Sequence, residues 1–65
     1  MLFDEVFYSL KNLGSWIRRS EWPEGVYYAL RGTRLIEHWN DGLERPVMQL
    51  AVADVLEDDW EMIER

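Results

Sequence analysis

The sequence predicts an α+β fold: an N-terminal helix packed on a small antiparallel β-sheet of four to five strands, with a short helical turn before the last strand. The first observation is helical spacing of the apolar residues Phe3, Val6, Phe7, Leu10 and Leu13. The second is a change to a period of two from Ser15 onward, which is typical of strands. One helix on an antiparallel sheet is the economical arrangement of such elements. The 65 residues are predicted to form a single domain, 1–65.

The helix is predicted over residues 3–13. Asp4 and Glu5 favour the positive end of the helix dipole. Gly14 suits the left-handed position that follows a helix C-terminus. The polar face is expected to meet water and consists of Tyr8, Lys11 and Asn12.

Turn signals divide the rest of the chain into short strands. These signals are Pro23-Glu24-Gly25, Gly32-Thr33 and Asn40-Asp41-Gly42. The predicted strands cover residues 15–22, 26–30, 34–39, 45–50 and 60–63, and the helical turn covers residues 53–58. Pro46 is expected at the beginning of its strand or on a sheet edge, because it has no N–H to donate.

Both faces of the predicted sheet carry apolar side chains. Alternation in the first strand places Trp16 and Trp22 on one face and Ile17 on the other. An eleven-residue helix covers only one face, so the remainder is a candidate interface or ligand surface. A chain of this size also has a thin core. Self-association as a dimer or tetramer is therefore expected, with a monomer left open.

The charge balance excludes several classes of function. Seven basic and thirteen acidic residues give a net charge of −6, which argues against a general coat for long nucleic acids and against a membrane-surface protein. No apolar run approaches the roughly 20 residues of a membrane span, so a cytoplasmic protein is expected. The acids concentrate near the end of the sequence, at Asp54, Glu57, Asp58, Asp59, Glu61 and Glu64. This acidic stretch could mimic the phosphates of DNA.

Few residues suit catalysis or metal binding. The chain has no cysteine and one histidine, His38, so no metal and no cofactor is expected. His38 next to Glu37 could act in acid–base chemistry, but general catalysis needs a second positioned group. The Glu57-Asp58-Asp59 run lacks the glycine and the spacing of a calcium loop. The protein is therefore not expected to be an enzyme.

Aromatic residues and arginines are interleaved in the middle of the chain. They are Trp16, Arg18, Arg19, Trp22, Tyr27, Tyr28, Arg31, Arg34 and Trp39. Aromatic rings stack on nucleobases and arginine forks hold phosphates. Such a set suits a small nucleotide better than a polyanion, because the chain itself is acidic. From spacing alone, an ordinary core and interface with a solvated arginine rim remains the stronger reading.

Three segments resemble the small phage proteins of the Thoeris anti-defence two family. They are Phe3-Asp4-Glu5-Val6-Phe7 with Leu10-Lys11 and Gly14, then Ile17-Arg18-Arg19 with Trp22, and finally Asp54-Val55-Leu56-Glu57-Asp58-Asp59-Trp60-Glu61. The family patterns are F-x-E-A-L-x-x-L-K-x-G, A-R-x-x-W and D-x-L-A-x-D-W-x-V. The closing D-x-L-x-x-D-W is the most specific part of the resemblance, which spans most of the chain.

The resemblance implies a homo-oligomer that binds immune signalling nucleotides in the host cytoplasm without cleaving them. The ligands would be cyclic ADP-ribose isomers or small cyclic oligonucleotides, held in pockets between subunits. The candidate ligand-binding residues are Arg18, Arg19, Trp22, Tyr28, Arg34 and Trp39. The aromatic members would stack on bases, and the arginines would hold phosphates or ribose oxygens. Asp54 and Trp60 match the closing motif and are expected to be structural.

The sequence also departs from the family pattern. Arg18 is aligned with the family's arginine, which makes Glu21 an extra residue before Trp22. Glu57 replaces a small residue, and the long central insertion of many relatives is missing. The alternative hypothesis is an acidic protein-binding inhibitor of a host defence or CRISPR effector. A nucleotide-processing enzyme is the third.

Overall fold

The computed structural model describes residues 1–63 and shows the predicted α+β fold. The elements are α1 (Phe3–Leu13), β1 (Trp16–Arg19), β2 (Tyr27–Arg31), β3 (Arg34–His38), β4 (Glu44–Pro46), α2 (Val52–Val55) and β5 (Trp60–Ile63). The five strands form one sheet in the order β4-β3-β2-β1-β5, and every pair of neighbours is antiparallel. The last strand therefore returns to pair with the first.

Helix α1 has the predicted bounds and the predicted polar face. Its buried residues are Val6, Ser9 and Leu10. At its beginning the Glu5 carboxylate accepts the Leu2 backbone N–H at 2.8 Å, which satisfies one of the N–H groups that a helix start leaves without an intrahelical partner. At its end Gly14 takes a φ of 69° and donates its N–H to the Ser9 carbonyl. These two ends fix where the helix starts and stops.

The main core lies between α1 and the sheet. Helix α1 lies over β1, β5 and part of β2. The fully packed residues of this core are Val6, Leu10, Ile17, Tyr28 and Trp60. Residues 47–51 lead from β4 to α2 and add Val47 and Leu50 to its margin. Trp60 is 1% exposed, and its indole N–H donates to the Asp54 carbonyl at 2.9 Å.

The prediction that Trp16 and Trp22 share a face is wrong. β1 ends at Arg19, where the Trp22 N–H donates to the Arg19 carbonyl at 3.1 Å and closes a turn. The turn rotates Trp22 onto the α1 side, where its ring lies edge-on to Trp60 at 5.5 Å. Trp16 lies on the opposite face and stacks on Tyr27 at 4.3 Å. Strand alternation does not extend through a turn, so the predicted strand over 15–22 was too long.

Other boundaries differ from the prediction by smaller amounts. β4 has three residues. The Val47 N–H donates to the Leu35 carbonyl at 2.9 Å, and the chain leaves the sheet edge after this hydrogen bond. Most of the strand predicted over 45–50 therefore belongs to the segment that leads from β4 to α2. The helical turn covers Val52–Val55 rather than residues 53–58. Pro46 lies on the edge strand, as predicted.

The sheet face opposite α1 has its own apolar cluster, which we call the open face. Its buried residues are Tyr27, Ala29 and Ile36, with Trp16 and Ile63 packed against them. Within residues 1–63, α1 packs on the other face of the sheet and no helix covers this cluster. None of the helices described is long and apolar enough to cross a membrane.

Replacing Gly25 tests the contact between two turns. Gly25 has a φ of 87°, and a Cβ at this position would lie 2.8 Å from the Asn40 Cβ. Gly32, with a φ of 64°, has no atom within 4 Å of such a Cβ. Gly32→Ala should cost only the left-handed strain of about 1–2 kcal/mol. Gly25→Ala should lower the free energy of unfolding by more than this, as measured by urea denaturation. Equal losses would contradict the close approach of the turns.

Truncating Trp60 tests the closing strand. Because the ring is fully packed and contacts Phe3 and Trp22, Trp60→Ala should lower the free energy of unfolding by roughly 3–5 kcal/mol. For a domain of this size that is a large part of the total stability. Thermal unfolding followed by circular dichroism measures the loss. An unchanged melting temperature would show that Trp60 is not a core residue.

Candidate functional site

Arg19 is the centre of an ion-pair cluster, which we call the Arg19 clamp. Its guanidinium binds both carboxylate oxygens of Asp59, at 2.8 and 3.1 Å. It also binds Asp54 at 2.6 Å and Glu21 at 2.9 Å. Arg19 is 7% exposed, so its donors are turned toward these acids rather than toward solvent. The clamp joins the end of β1 to α2 and to the residue before β5.

The clamp changes the proton affinities of its members. The hydrogen bonds that Arg19 donates to Asp59 raise the pKa of Arg19, and burial opposes this rise. The same hydrogen bonds from Arg19 lower the pKa of the Asp59 carboxyl, with the Ser20 hydroxyl adding to the effect at 3.1 Å. Both groups therefore stay charged over the neutral pH range, and the pair remains closed.

The clamp bears on which arginine is compared with the arginine of the family pattern. The arginine that binds Asp54 and Asp59, the two aspartates of the D-x-L-x-x-D-W motif, is Arg19 and not Arg18. Two residues lie between Arg19 and Trp22, which is the spacing of R-x-x-W. Glu21 is then part of the pattern rather than an extra residue, and β1 pairs with β5 without a bulge.

Arg18 is occupied by the turn that follows β1. Its guanidinium donates to the carbonyls of Arg19 at 3.1 Å, of Ser20 at 3.3 Å and of Trp22. The Glu61 carboxylate lies 3.7 Å away. Because three backbone carbonyls take its donors, Arg18 holds the turn in place.

Trp22 and Tyr28 belong to the core. Their rings meet edge-on at 4.9 Å, and Tyr28 is buried. Burial raises the pKa of the Tyr28 hydroxyl, and the negative charges of Glu37 and Asp54 add to the rise. These two rings contact other side chains of the same protomer, so little of their surface is left for a ligand.

Trp39 and Arg34 are more accessible but lie at opposite ends of β3. Trp39 is half-buried, and its indole N–H donates to the Glu37 carboxylate at 2.9 Å. Trp39 is five positions along the chain from Arg34, which corresponds to roughly 16 Å at 3.3 Å per residue. The six candidate residues are therefore not brought together in one pocket of the protomer.

Arg34 borders a groove of about 530 Å³, which we call the Arg34 groove. The groove lies between the β2–β3 turn and the chain that leaves β4, and its lining consists of Thr33, Arg34, Leu35, Pro46, Val47 and Met48. Met48 is 84% exposed at its rim. Arg31, the cross-strand neighbour of Arg34, is paired with Glu44 at 2.8 Å. Among residues 1–63, the Arg34 side chain has no ion pair or hydrogen bond.

Sequence reasoning found Arg34 and missed the other lining residues. The sequence predicts a strand for Pro46, Val47 and Met48, in which alternate side chains point to opposite faces. Only the early end of β4 brings all three to one groove. The sequence signal for this early end of β4 is Pro46, which is expected on an edge strand.

The acidic segment is partly neutralised. Asp54 and Asp59 contribute their charges to the Arg19 clamp, while Glu57 and Asp58 are exposed. Within the part of the chain that the structure describes, no group of three histidines or carboxylates is placed to hold a metal ion. Glu64 lies outside the described residues.

No family model, curated protein or solved structure matches the chain. The resemblance to the Thoeris anti-defence two family therefore rests on the motifs alone.

Lowering the pH should weaken the Arg19 clamp. Because the pKa of Asp59 is lowered in the folded protein, its ionised form stabilises the fold above the unfolded pKa of about 3.9. This contribution is lost as the pH falls through the folded pKa. The difference in melting temperature between the wild type and Asp59→Asn should shrink as the pH is lowered from about 7 to about 2.

Asp58→Asn is the matched control, because its exposed side chain has no ion pair within residues 1–63. Its melting temperature should stay close to that of the wild type at every pH. A difference for Asp59→Asn that stays constant with pH would contradict the clamp.

Proposed function

We propose that this chain is a phage anti-defence protein that binds a cyclic nucleotide signal of host immunity and sequesters it without cleaving it. The ligand is a cyclic ADP-ribose isomer or a small cyclic oligonucleotide, as the resemblance implies. The observation that supports the proposal is the Arg34 groove, in which an unpaired guanidinium borders an apolar floor. A homo-oligomer, dimer or tetramer, acting in the host cytoplasm is part of the same proposal.

The groove suits the two chemistries of a nucleotide. The Arg34 fork can hold a phosphate by two parallel hydrogen bonds. Leu35, Pro46 and Met48 offer apolar surface to a base, and a methionine thioether makes favourable contacts with aromatic rings. A volume of about 530 Å³ lies in the range of small-molecule sites. A nucleotide-sized ligand therefore fits better than a long polymer, which the charge of −6 would repel.

The groove supports binding better than catalysis. Its lining contains one hydroxyl, from Thr33, and no histidine or carboxylate. Proton transfer to or from a reacting group needs such a side chain within hydrogen-bond reach. A protein that binds without reacting can still lower the free concentration of a signal by mass action, if its affinity and abundance are high enough.

We assign Arg18, Arg19, Trp22 and Tyr28 to the fold rather than to the ligand. Each is occupied by contacts within the protomer. The alternative, an acidic mimic that inhibits a host effector, is less well supported because two of its acids are bound to Arg19. The exposed Glu57 and Asp58 would have to carry that function.

Release of bound ligand separates these functions. The protein is incubated with a set of cyclic ADP-ribose isomers and cyclic dinucleotides, removed by filtration, and then heated. A sequestering protein depletes one of the nucleotides and returns it intact on heating. Recovery of a cleaved product would show an enzyme, and no depletion of any nucleotide would leave the mimic as the better hypothesis.

Neutralising Arg34 should weaken this binding. Loss of a hydrogen bond to a charged group costs about 1.5–3 kcal/mol, so Arg34→Gln should raise Kd by roughly 10- to 150-fold in calorimetry. Arg45→Gln is the matched control, since Arg45 is exposed, does not line the groove and has no ion pair within residues 1–63. It should leave Kd within about twofold. Equal losses for the two variants would mean that only the overall charge matters.

A further inference from the structure

Arg31 and Arg34 lie directly opposite each other at the end of the β2–β3 hairpin. Ala29 and Ile36, the next pair on the same side of the hairpin, are buried in the cluster of the open face. Side chains two residues apart in a strand share a face, so both arginines lie on the open face. Residues opposite each other have Cβ atoms about 5 Å apart, and like charges at such positions repel. An anion beside Arg34 is therefore within reach of the Arg31 side chain as well.

The open face continues into the Arg34 groove. Pro46, which lines the groove, is the β4 residue opposite Ile36. Glu44 lies two residues before Pro46 and on the same face of β4. The Arg31–Glu44 pair, 2.8 Å long, joins β2 to β4 and so crosses β3 at the level of Ile36, which is only 8% exposed. The pair therefore directs the Arg31 guanidinium away from the hairpin end where Arg34 lies.

We propose that Arg31 is a second anion-binding residue of the Arg34 groove, and that Glu44 competes with the ligand for it. The inference rests on the proposed binding of an anion at Arg34 and extends the site to a second cation. The Glu44 carboxylate occupies the Arg31 guanidinium in the structure. When an anion binds at Arg34, the Arg31 side chain leaves Glu44 and turns toward the anion, which also relieves the repulsion between the two arginines.

The exchange of partners costs little because the ion pair is exposed. The side chains of Arg31 and Glu44 are 47% and 36% exposed. Such pairs contribute little to stability, and a carboxylate released at the surface is hydrated by solvent. Hydrogen bonds from an arginine fork to a phosphate are among the strong ones. The exchange therefore favours a ligand with two adjacent anionic groups, such as a pyrophosphate, over a ligand whose single charge Arg34 already holds.

Titration with inorganic pyrophosphate, followed by the NMR signals of the arginine Nε–H groups, tests the competition. Glu44→Gln removes the competing charge and should lower the pyrophosphate Kd about two- to fivefold, the factor that corresponds to an exposed ion pair. The signals of Arg31 and Arg34 should then shift together. Glu24→Gln is the matched control, because Glu24 is exposed, precedes β2 at the end opposite Arg31 and has no ion pair within residues 1–63. At about 150 mM salt, which screens charges more than roughly 8 Å apart, it should change Kd less than about 1.5-fold.

A double-mutant cycle separates the release of Arg31 from a general change in charge. In the Arg31→Gln background, Glu44→Gln should change Kd less than about 1.5-fold, because no guanidinium is left to be released. An equal gain with and without Arg31 would overturn the proposal. Shifts of the Arg34 signal with the same Kd for the wild type and Glu44→Gln would also overturn it, but would leave the Arg34 groove as the anion site. No shift of the Arg34 signal in any variant would overturn that site and this inference together. Circular dichroism establishes that the variants are folded.

Discussion

Arg19 connects three parts of the chain that are far apart in sequence. It is the last residue of β1, and its side chain binds Asp54 on α2 and Asp59 immediately before β5. In a chain of this size the apolar core is thin, so the position of the last strand depends strongly on a few specific contacts. A buried arginine that donates to several carboxylate oxygens has its donors satisfied, which offsets the cost of removing the charge from water. The contact holds Asp59 at the end of β1, where the pairing of β5 with β1 begins.

Asp54 links the clamp to the aromatic core. Its carboxylate binds Arg19, while its backbone carbonyl accepts the indole N–H of Trp60 at 2.9 Å. Trp60 in turn packs edge-on against Trp22, which the turn after β1 carries to the α1 side. Charge, turn and aromatic packing are therefore coupled through neighbouring residues. This gives the closing D-x-L-x-x-D-W motif a structural explanation in which both aspartates and the tryptophan have partners.

The sequence predicted the elements well and their three-dimensional relations less well. Periodicity gave α1 its bounds, and the glycine turns separated the strands, because both signals are local. The face of Trp22 was mispredicted, since alternation was continued through a turn that only the Arg18 and Arg19 contacts define. The Arg34 groove was missed for a related reason. Its walls come from Leu35 and from the exit of β4, and their proximity depends on strand pairing.

The arginines differ in what they leave available to a ligand. Arg18 and Arg31 face carboxylates and backbone carbonyls on the open face, and Arg19 is enclosed by acids. An anion would have to displace these partners, and it would leave a carboxylate without its cation. At Arg34 there is no such cost, because its side chain has no partner within residues 1–63. In an acidic protein, a small anion gains the most binding free energy at a cation that has no internal partner. This difference in pairing, rather than the number of arginines, is the reason for proposing the nucleotide site at the Arg34 groove.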